Sequence, residues 1–185
     1  EEQEMKQKLK LALGGAGERG QYCYAPYAKM HGSEIEFVAV ADPHKGRREK
    51  FVQDYHVPAE GVFETAEQFF ARPRMADAVL ICTQDSQHYA YACQAIDLGY
   101  SILLEKPISP SVRECLDLQR RAEEKGTQIM VCHVMRYTKF YRKLKELIDS
   151  GVIGDVVHVT HTENVAYWHY AHSYVRGNWH KTADS

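Results

Sequence analysis

The chain has 185 residues, of which 44% are apolar, 26% charged and 11% aromatic, values close to the averages of a globular domain and too apolar for a disordered one. Its net charge of −2 supplies no field that would draw nucleic acid or an acidic membrane, and its longest apolar runs, such as residues 78–82, are far too short to span a bilayer. Residues 1–5 are acidic and polar, the opposite of a secretory leader. The five cysteines (Cys23, Cys82, Cys93, Cys115 and Cys132) are widely spaced with no CxxC pair, which argues against a disulfide framework or a cysteine zinc site and for the reducing cytoplasm.

In chain order, short apolar runs at residues 9–13, 35–41, 78–82, 101–104 and 128–132 predict strands. They are mostly continuous rather than alternating, as expected where helices cover both faces of a parallel sheet. Residues 21–31, 47–55, 87–98 and 111–125 predict the intervening helices. In the last of these Val112, Cys115, Leu116, Leu118 and Ala122 share one side, and Gly126 stands where a left-handed cap ends a helix. A weaker strand at 61–63 precedes a short helix at 65–70. Repeated β-α-β units in this order predict an α/β fold with a doubly wound parallel sheet.

Past residue 132 the texture changes. Residues 138–150 predict a helix with Phe140, Leu144, Leu147 and Ile148 on one stripe, closed by Ser150 and Gly151. Residues 155–163 alternate strictly, the pattern of a half-buried strand, and residues 164–185 are aromatic, histidine-rich and without period. The expected boundary lies near residues 135–139. It separates a first domain over 5–135 from the beginning of an α+β second domain over 136–185, too small to stand alone.

The chemistry-bearing motif comes first. Gly15-x-Gly17-x-x-Gly20 follows the first strand and opens a helix, the context a dinucleotide-binding Rossmann fold requires. The first glycine permits a tight turn, the second lets main chain approach a pyrophosphate, and the third lets helix and strand pack closely. The loop Gly15, Ala16, Gly17, Glu18, Arg19 and Gly20 is therefore the candidate phosphate cradle, with the helix N-terminus behind it. Asp42, at the end of the second strand and 22 residues beyond Gly20, is placed to accept from both ribose hydroxyls and to repel a 2′-phosphate. This favours NAD, with NADP left open. Capping of the next helix is the bland alternative for Asp42. Arg47 and Arg48 either bind a 2′-phosphate or form a solvated first turn.

Further along, residues 78–83 with Asp85 and His88, then Gly99 to Pro107 ending in Glu105-Lys106-Pro107, then Val131 to Tyr137 and Ile148 to Asp155, together with the glycine loop resemble the Gfo/Idh/MocA oxidoreductases. The resemblance spans about residues 9–179. It implies an N-terminal Rossmann domain, a C-terminal substrate domain on a largely antiparallel sheet that often forms an oligomer interface, and hydride transfer between nicotinamide and a sugar, inositol or related polyol. It implies that Lys106 sits beside the reacting hydroxyl, where a lysine can hydrogen-bond the substrate oxygen if partial burial tunes it. Flanking Glu105 and Pro107 distinguish it from a surface lysine before a turn proline. It implies cofactor-side positions for Thr83, Asp85, His88, Glu105, Lys106, Pro107 and Arg136. Many members carry Asn at the place of Asp85, His88 has helix capping as its alternative, and Arg136 has a structural salt bridge.

In the aromatic tail, flat and polar side chains suit a sugar, so Tyr167, His169, Arg176 and Trp179 are substrate candidates beside a plain packing role. His158, His161, His169, His172 and His180 crowd together, but on a strand the first two point to opposite faces and no zinc-ligand context accompanies them; no metal is expected. The family continues with a motif bearing Asp and His; that pair is expected beyond Ser185, and Asp184 is not given its role. The expectation is an NAD(P)-dependent dehydrogenase or reductase, a homo-oligomer with a small-molecule sugar or polyol as its partner, of which these residues alone bind dinucleotide but turn over poorly. The alternatives are a glycosidase or lyase that uses NAD transiently, and a non-catalytic dinucleotide-binding module.

Overall fold

Six parallel strands form one sheet in the order β3-β2-β1-β4-β5-β6, seen in a computed structural model that describes residues 7–177 and 179. Residues 1–5, His180 and Asp184, singled out above, lie outside the described residues. Strand β1 (Leu9–Gly14) lies between β2 (Ile35–Ala41) and β4 (Ala78–Ile81). Its side chains meet protein on both faces, and Leu11, Ala12 and Leu13 are all buried. The continuous apolar runs follow from this, since a strand without a wet face has no polar alternation to keep. The remaining strands are β3 (Val62–Phe63), β5 (Ser101–Leu104) and β6 (Ile129–Val131).

The two faces carry separate cores. On one, Leu11, Leu13, Phe37, Val40 and Leu80 pack with Ala28 of α1 (Pro26–Met30) and Phe51 of α2 (Lys45–Tyr55). Phe51 is fully buried, edge-on to Phe37 with ring centroids 5.1 Å apart; burying such a ring contributes about 1.5–3 kcal/mol. On the other face, Ala12, Val79, Ile81, Ile102 and Leu104 pack with α3 (Ala66–Phe70), α4 (His88–Asp97) and α5 (Val112–Lys125). Thr65 and Ser111 cap α3 and α5 through their hydroxyls, and Gly126 closes α5 at φ +63°. Connections from β1 and β4 thus leave on opposite faces, and the carboxyl ends of these two strands form the crevice where such sheets bind ligands.

The helix expected over 21–31 is different. It starts earlier, as a π-helical segment Glu18–Tyr24, and restarts as α1 at Pro26. Proline has no N–H to donate, so the regular ladder breaks there. The widened turn sits just before it, with Ala25 N donating to Gly20 O at 3.0 Å.

The chain divides into two compact units between Val131 and Cys132. The second contains a short turn Val134–Tyr137, α6 (Lys139–Asp149), α7 (Tyr167–Tyr170) and a π-helical turn Ala171–Val175. The stripe Phe140, Leu144, Leu147 and Ile148 is exposed. The strand expected over 155–163 is not formed: these residues are exposed and outside any ladder. Alternation supplies a face, but a strand needs a neighbouring strand to pair with, and among the described residues this segment has none. Among the described residues no helix is long and apolar enough to cross a membrane.

Candidate active site

Register brings the ends of β1, β2 and β4 level, with Gly14 opposite both Ala41 and Ile81. The next residues, Gly15, Asp42 and Cys82, therefore meet at one edge. Gly15 N donates to Ala41 O at 2.8 Å and Cys82 N to Gly14 O at 2.7 Å. The three glycines then do different things. Gly15 has φ +91°, and a Cβ on it would fall 2.4 Å from Cys82 O, so no other residue fits. A Cβ on Gly20 would fall 2.3 Å from Gly15 O and 2.9 Å from Leu13 Cδ1, so this glycine sets how closely the helical segment approaches the strand. Beside Gly17 the nearest atom is Arg47 Nη1, at 3.8 Å from a built Cβ. Main chain is thus open at the second glycine.

Asp42 is buried, and each of its oxygens is held. Oδ2 accepts from Ala16 N at 2.8 Å and Oδ1 from His44 N at 2.8 Å. The cap of α2 is His44, whose Nδ1 accepts from Arg47 N at 3.3 Å; capping by Asp42 itself is corrected, because the cap position lies two residues later. The two arginines also separate. Arg48 is buried, its Nη1 donating to Asp42 O at 2.7 Å and to Pro43 O at 3.2 Å, and its Nη2 pairing with Glu64 at 3.1 Å. It braces the loop, while exposed Arg47 lies against Gly17.

Two buried polar atoms have no hydrogen-bond partner among the described residues: Gln21 Nε2 and Thr83 Oγ1. Gln21 follows the third glycine, its main-chain N–H donating to Gly17 O at 2.9 Å. The Thr83 main-chain nitrogen is 3.1 Å from where a Gly15 Cβ would stand. An open glycine backbone, a fixed carboxylate and orphaned polar groups on residues next to the glycine loop are what a dinucleotide needs from this edge.

Glu105 directly follows β5 and is buried. Its Oε2 accepts from Lys106 N at 2.9 Å, Oε1 accepts from the Tyr24 hydroxyl, and Arg19 Nε lies 3.9 Å from the same oxygen. The Lys106–Pro107 peptide is cis. Lys106 is exposed where partial burial was expected. Asp85 is buried at the start of the turn Asp85–Gln87. His88 is almost wholly buried, with Nδ1 2.7 Å from Pro107 O and Nε2 3.2 Å from Thr83 O. Both ring nitrogens face main-chain carbonyls, so His88 ties the β4 and β5 loops together. Tyr24 and Gln21 escaped the sequence reading because the π-helical turn shifts the residue phase; Pro26 was the signal for it.

Arg136, Tyr167, His169, Arg176 and Trp179 belong to the second unit. Arg136, Tyr167, His169 and Arg176 are exposed, and Trp179 N donates to Ser173 O at 3.4 Å. Tyr167 and His169 lie on α7.

Comparison with known proteins bears on these residues. Residues 9–133 match the model of the oxidoreductase family with an NAD-binding Rossmann fold. The chain is 32% identical over 157 residues to an inositol 2-dehydrogenase of Pseudomonas savastanoi pv. phaseolicola, an alignment covering 83% of this chain and 46% of that protein. It is 29% identical over 156 residues to the scyllo-inositol 2-dehydrogenase (NAD(+)) of Bacillus subtilis, covering 83% and 44%. Among solved structures, scyllo-inositol dehydrogenase from Lactobacillus casei, with NAD(H) and scyllo-inositol bound, superposes with a TM-score of 0.71 at 21% identity over 80% of this chain and 43% of that one. The chain spans about half the length of these relatives. With a family match across the whole sheet and its glycine loop, the chain belongs to the Gfo/Idh/MocA oxidoreductase family.

Proposed function

We propose that this chain forms the NAD-holding part of an oxidoreductase that moves a hydride between nicotinamide and a hydroxyl-bearing carbon of an inositol, sugar or related polyol. The open main chain at Gly17, where among the described residues beyond its chain neighbours Arg47 alone comes within 4 Å of a built Cβ, is the observation that carries this reading. The names of the inositol dehydrogenase relatives support the substrate class.

The loop Gly15 to Gly20 holds the pyrophosphate through the main-chain N–H groups of Gly17 to Gly20, those of Gly15 and Ala16 being given to Ala41 O and Asp42 Oδ2, with Arg19 and Arg47 supplying positive charge at the rim. Asp42 takes the ribose hydroxyls through the remaining lone pairs of its two oxygens, and its charge favours NAD over NADP. Thr83 and Asp85 line the cofactor side of the β4 loop, and Glu105, Pro107 and His88 set the path of the β5 loop. When bound, nicotinamide supplies the hydride acceptor or donor at its C4 carbon. Lys106 bonds the substrate oxygen and moves its proton. Residues 5–135 constitute the cofactor domain and residues 136–185 open the substrate domain, with Arg136 on the cofactor side and Tyr167, His169, Arg176 and Trp179 as substrate contacts. The complete enzyme is a cytoplasmic homo-oligomer, a compartment that suits five cysteines joined by no disulfide.

The test is a fluorescence titration of NADH with this chain, followed by a polyol panel with the full-length protein. Saturable NADH binding and net NADH formation from an inositol or sugar are expected. Absence of NADH binding overturns the reading, and turnover without net NADH formation replaces dehydrogenation by a transient use of NAD.

A further inference from the structure

We infer that Tyr24 is a positioning residue for Lys106, acting through the carboxylate of Glu105. This deepens the proposed function, since it rests on Lys106 being the group that handles the substrate proton.

The two oxygens of Glu105 face different parts of the chain. Oε2 accepts the Lys106 main-chain N–H at 2.9 Å, and Oε1 accepts the hydroxyl hydrogen of Tyr24, a residue 81 positions earlier. Arg19 Nε shares Oε1 at 3.9 Å, but its side chain is 51% exposed, so water competes for that pair. Glu105 N donates to Ile81 O at 2.9 Å, which fixes the Glu105 backbone to the sheet and leaves side-chain torsions as its remaining freedom. Tyr24 removes that freedom. Without its hydroxyl, the buried carboxylate keeps a loose, half-wet partner on one oxygen and swings. The Lys106 amide then loses an acceptor at a fixed place.

The other side of the lysine is gripped independently, with Pro107 O 2.7 Å from His88 Nδ1. The main chain at Lys106 is thus held from two elements while the exposed ammonium is left to reach outward. Tyr24 and Arg19 both belong to the π-helical segment Glu18–Tyr24, whose N-cap is Gly17. The cradle and the lysine therefore share one carboxylate, and a ligand that tightens the cradle tightens Lys106. A charge-assisted hydrogen bond supplies the strength this requires, and small misplacements of a reacting group are costly in rate.

The experiment compares the parent chain with Tyr24→Phe, which keeps the ring and removes only the donor. Lysines are labelled with limiting acetic anhydride and quantified by mass spectrometry, with and without NADH. In the full-length protein, kcat and KM are measured with inositol beside Lys106→Ala. Tyr24→Phe should change Lys106 labelling relative to the other lysines by at least about twofold and blunt its response to NADH. It should lower kcat about tenfold while the NADH dissociation constant and melting temperature stay near the parent values. Glu105→Gln combined with Tyr24→Phe should be no worse than Glu105→Gln alone.

Unchanged Lys106 labelling in Tyr24→Phe overturns the inference, as does a variant whose NADH affinity and melting temperature fall in step with kcat. Lys106→Ala with near-normal turnover removes Lys106 from the chemistry, and the inference with it, even if labelling changes. Lys106→Ala without turnover beside normal labelling and kcat in Tyr24→Phe overturns the Tyr24 link alone.

Discussion

Asp42 holds Ala16: from the end of β2 its Oδ2 accepts the Ala16 N–H at 2.8 Å, fixing the loop after β1. Its other oxygen accepts from His44 N, so a single buried carboxylate shapes two loops before any ligand arrives. Asp42→Asn keeps the size but turns an amide NH2 toward one of these N–H donors. It should cost about 1–3 kcal/mol in a urea melt. It also removes the charge that faces a 2′-phosphate, so the ratio of NADP to NAD affinity should rise about tenfold. The ratio is the informative quantity, because damage to the loop lowers both affinities together. A melt shift with an unaltered ratio would leave Asp42 structural only.

The glycines should respond with opposite signs. Gly17 has φ −80° and ψ −161°, a conformation any residue adopts, and its Cβ direction is open. Gly17→Ala should therefore stabilise the unliganded chain by about 0.4–1 kcal/mol, through the unfolded state, while NADH affinity falls about tenfold or more. Gly15→Ala meets Cys82 O at 2.4 Å with φ +91° and should destabilise by about 2 kcal/mol or more. Denaturant melts with NADH titrations check both. Loss of stability in Gly17→Ala would mean that the loop is closed at its second glycine.

The sheet was legible because its strands are buried on both faces: Leu11, Leu13, Val79 and Leu104 have no solvent side to mark with polar residues. Helix ends were legible where a single residue carries the cap, as with Ser111 and Gly126. What escaped depends on partners distant in sequence. Tyr24 meets Glu105 across 81 residues; Pro26 marks the turn that carries Tyr24 but says nothing of its distant partner. Arg47 and Arg48 are alike as letters, yet α2 turns one toward Gly17 and buries the other against Asp42 O and Glu64. The alternation of Val157 and Val159 predicted a strand, but pairing is a property of two segments.

His88 separates a cofactor contact from a brace. With Thr83 O and Pro107 O at its two nitrogens, His88→Ala takes a nearly wholly buried ring away from both carbonyls and opens a void. It should cost about 2 kcal/mol or more in a denaturant melt. NADH affinity, measured where the variant is still folded, should fall less than about threefold, since the ring faces protein. A variant of normal stability with strongly weakened NADH binding would place His88 against the cofactor instead.

The pairing of α3 with α4 carries a prediction about pH. The buried Tyr91 donates its hydroxyl hydrogen to Glu67 Oε1 at 2.6 Å, and its ring stacks on Phe70. Burial, then this hydrogen bond, pushes the Tyr91 phenol well above its ordinary value of 10.0, and the same bond holds Glu67 below its ordinary 4.5. The two shifts act at opposite ends of the pH scale. Below about pH 4.5 the unfolded chain protonates at Glu67 first, so stability present above that pH is lost as pH falls through the lower folded value. Above pH 10 the unfolded chain loses the Tyr91 proton while the folded chain keeps it, so stability falls as pH rises. Tyr91→Phe removes the bond and the titrating phenol together. It should cost about 1 kcal/mol at neutral pH, the modest value suited to an exposed carboxylate partner. It should also flatten the dependence of urea-melt stability on pH at both ends. Parallel curves for the parent and Tyr91→Phe, offset by a constant, would show that this pair titrates alike in the folded and unfolded chains.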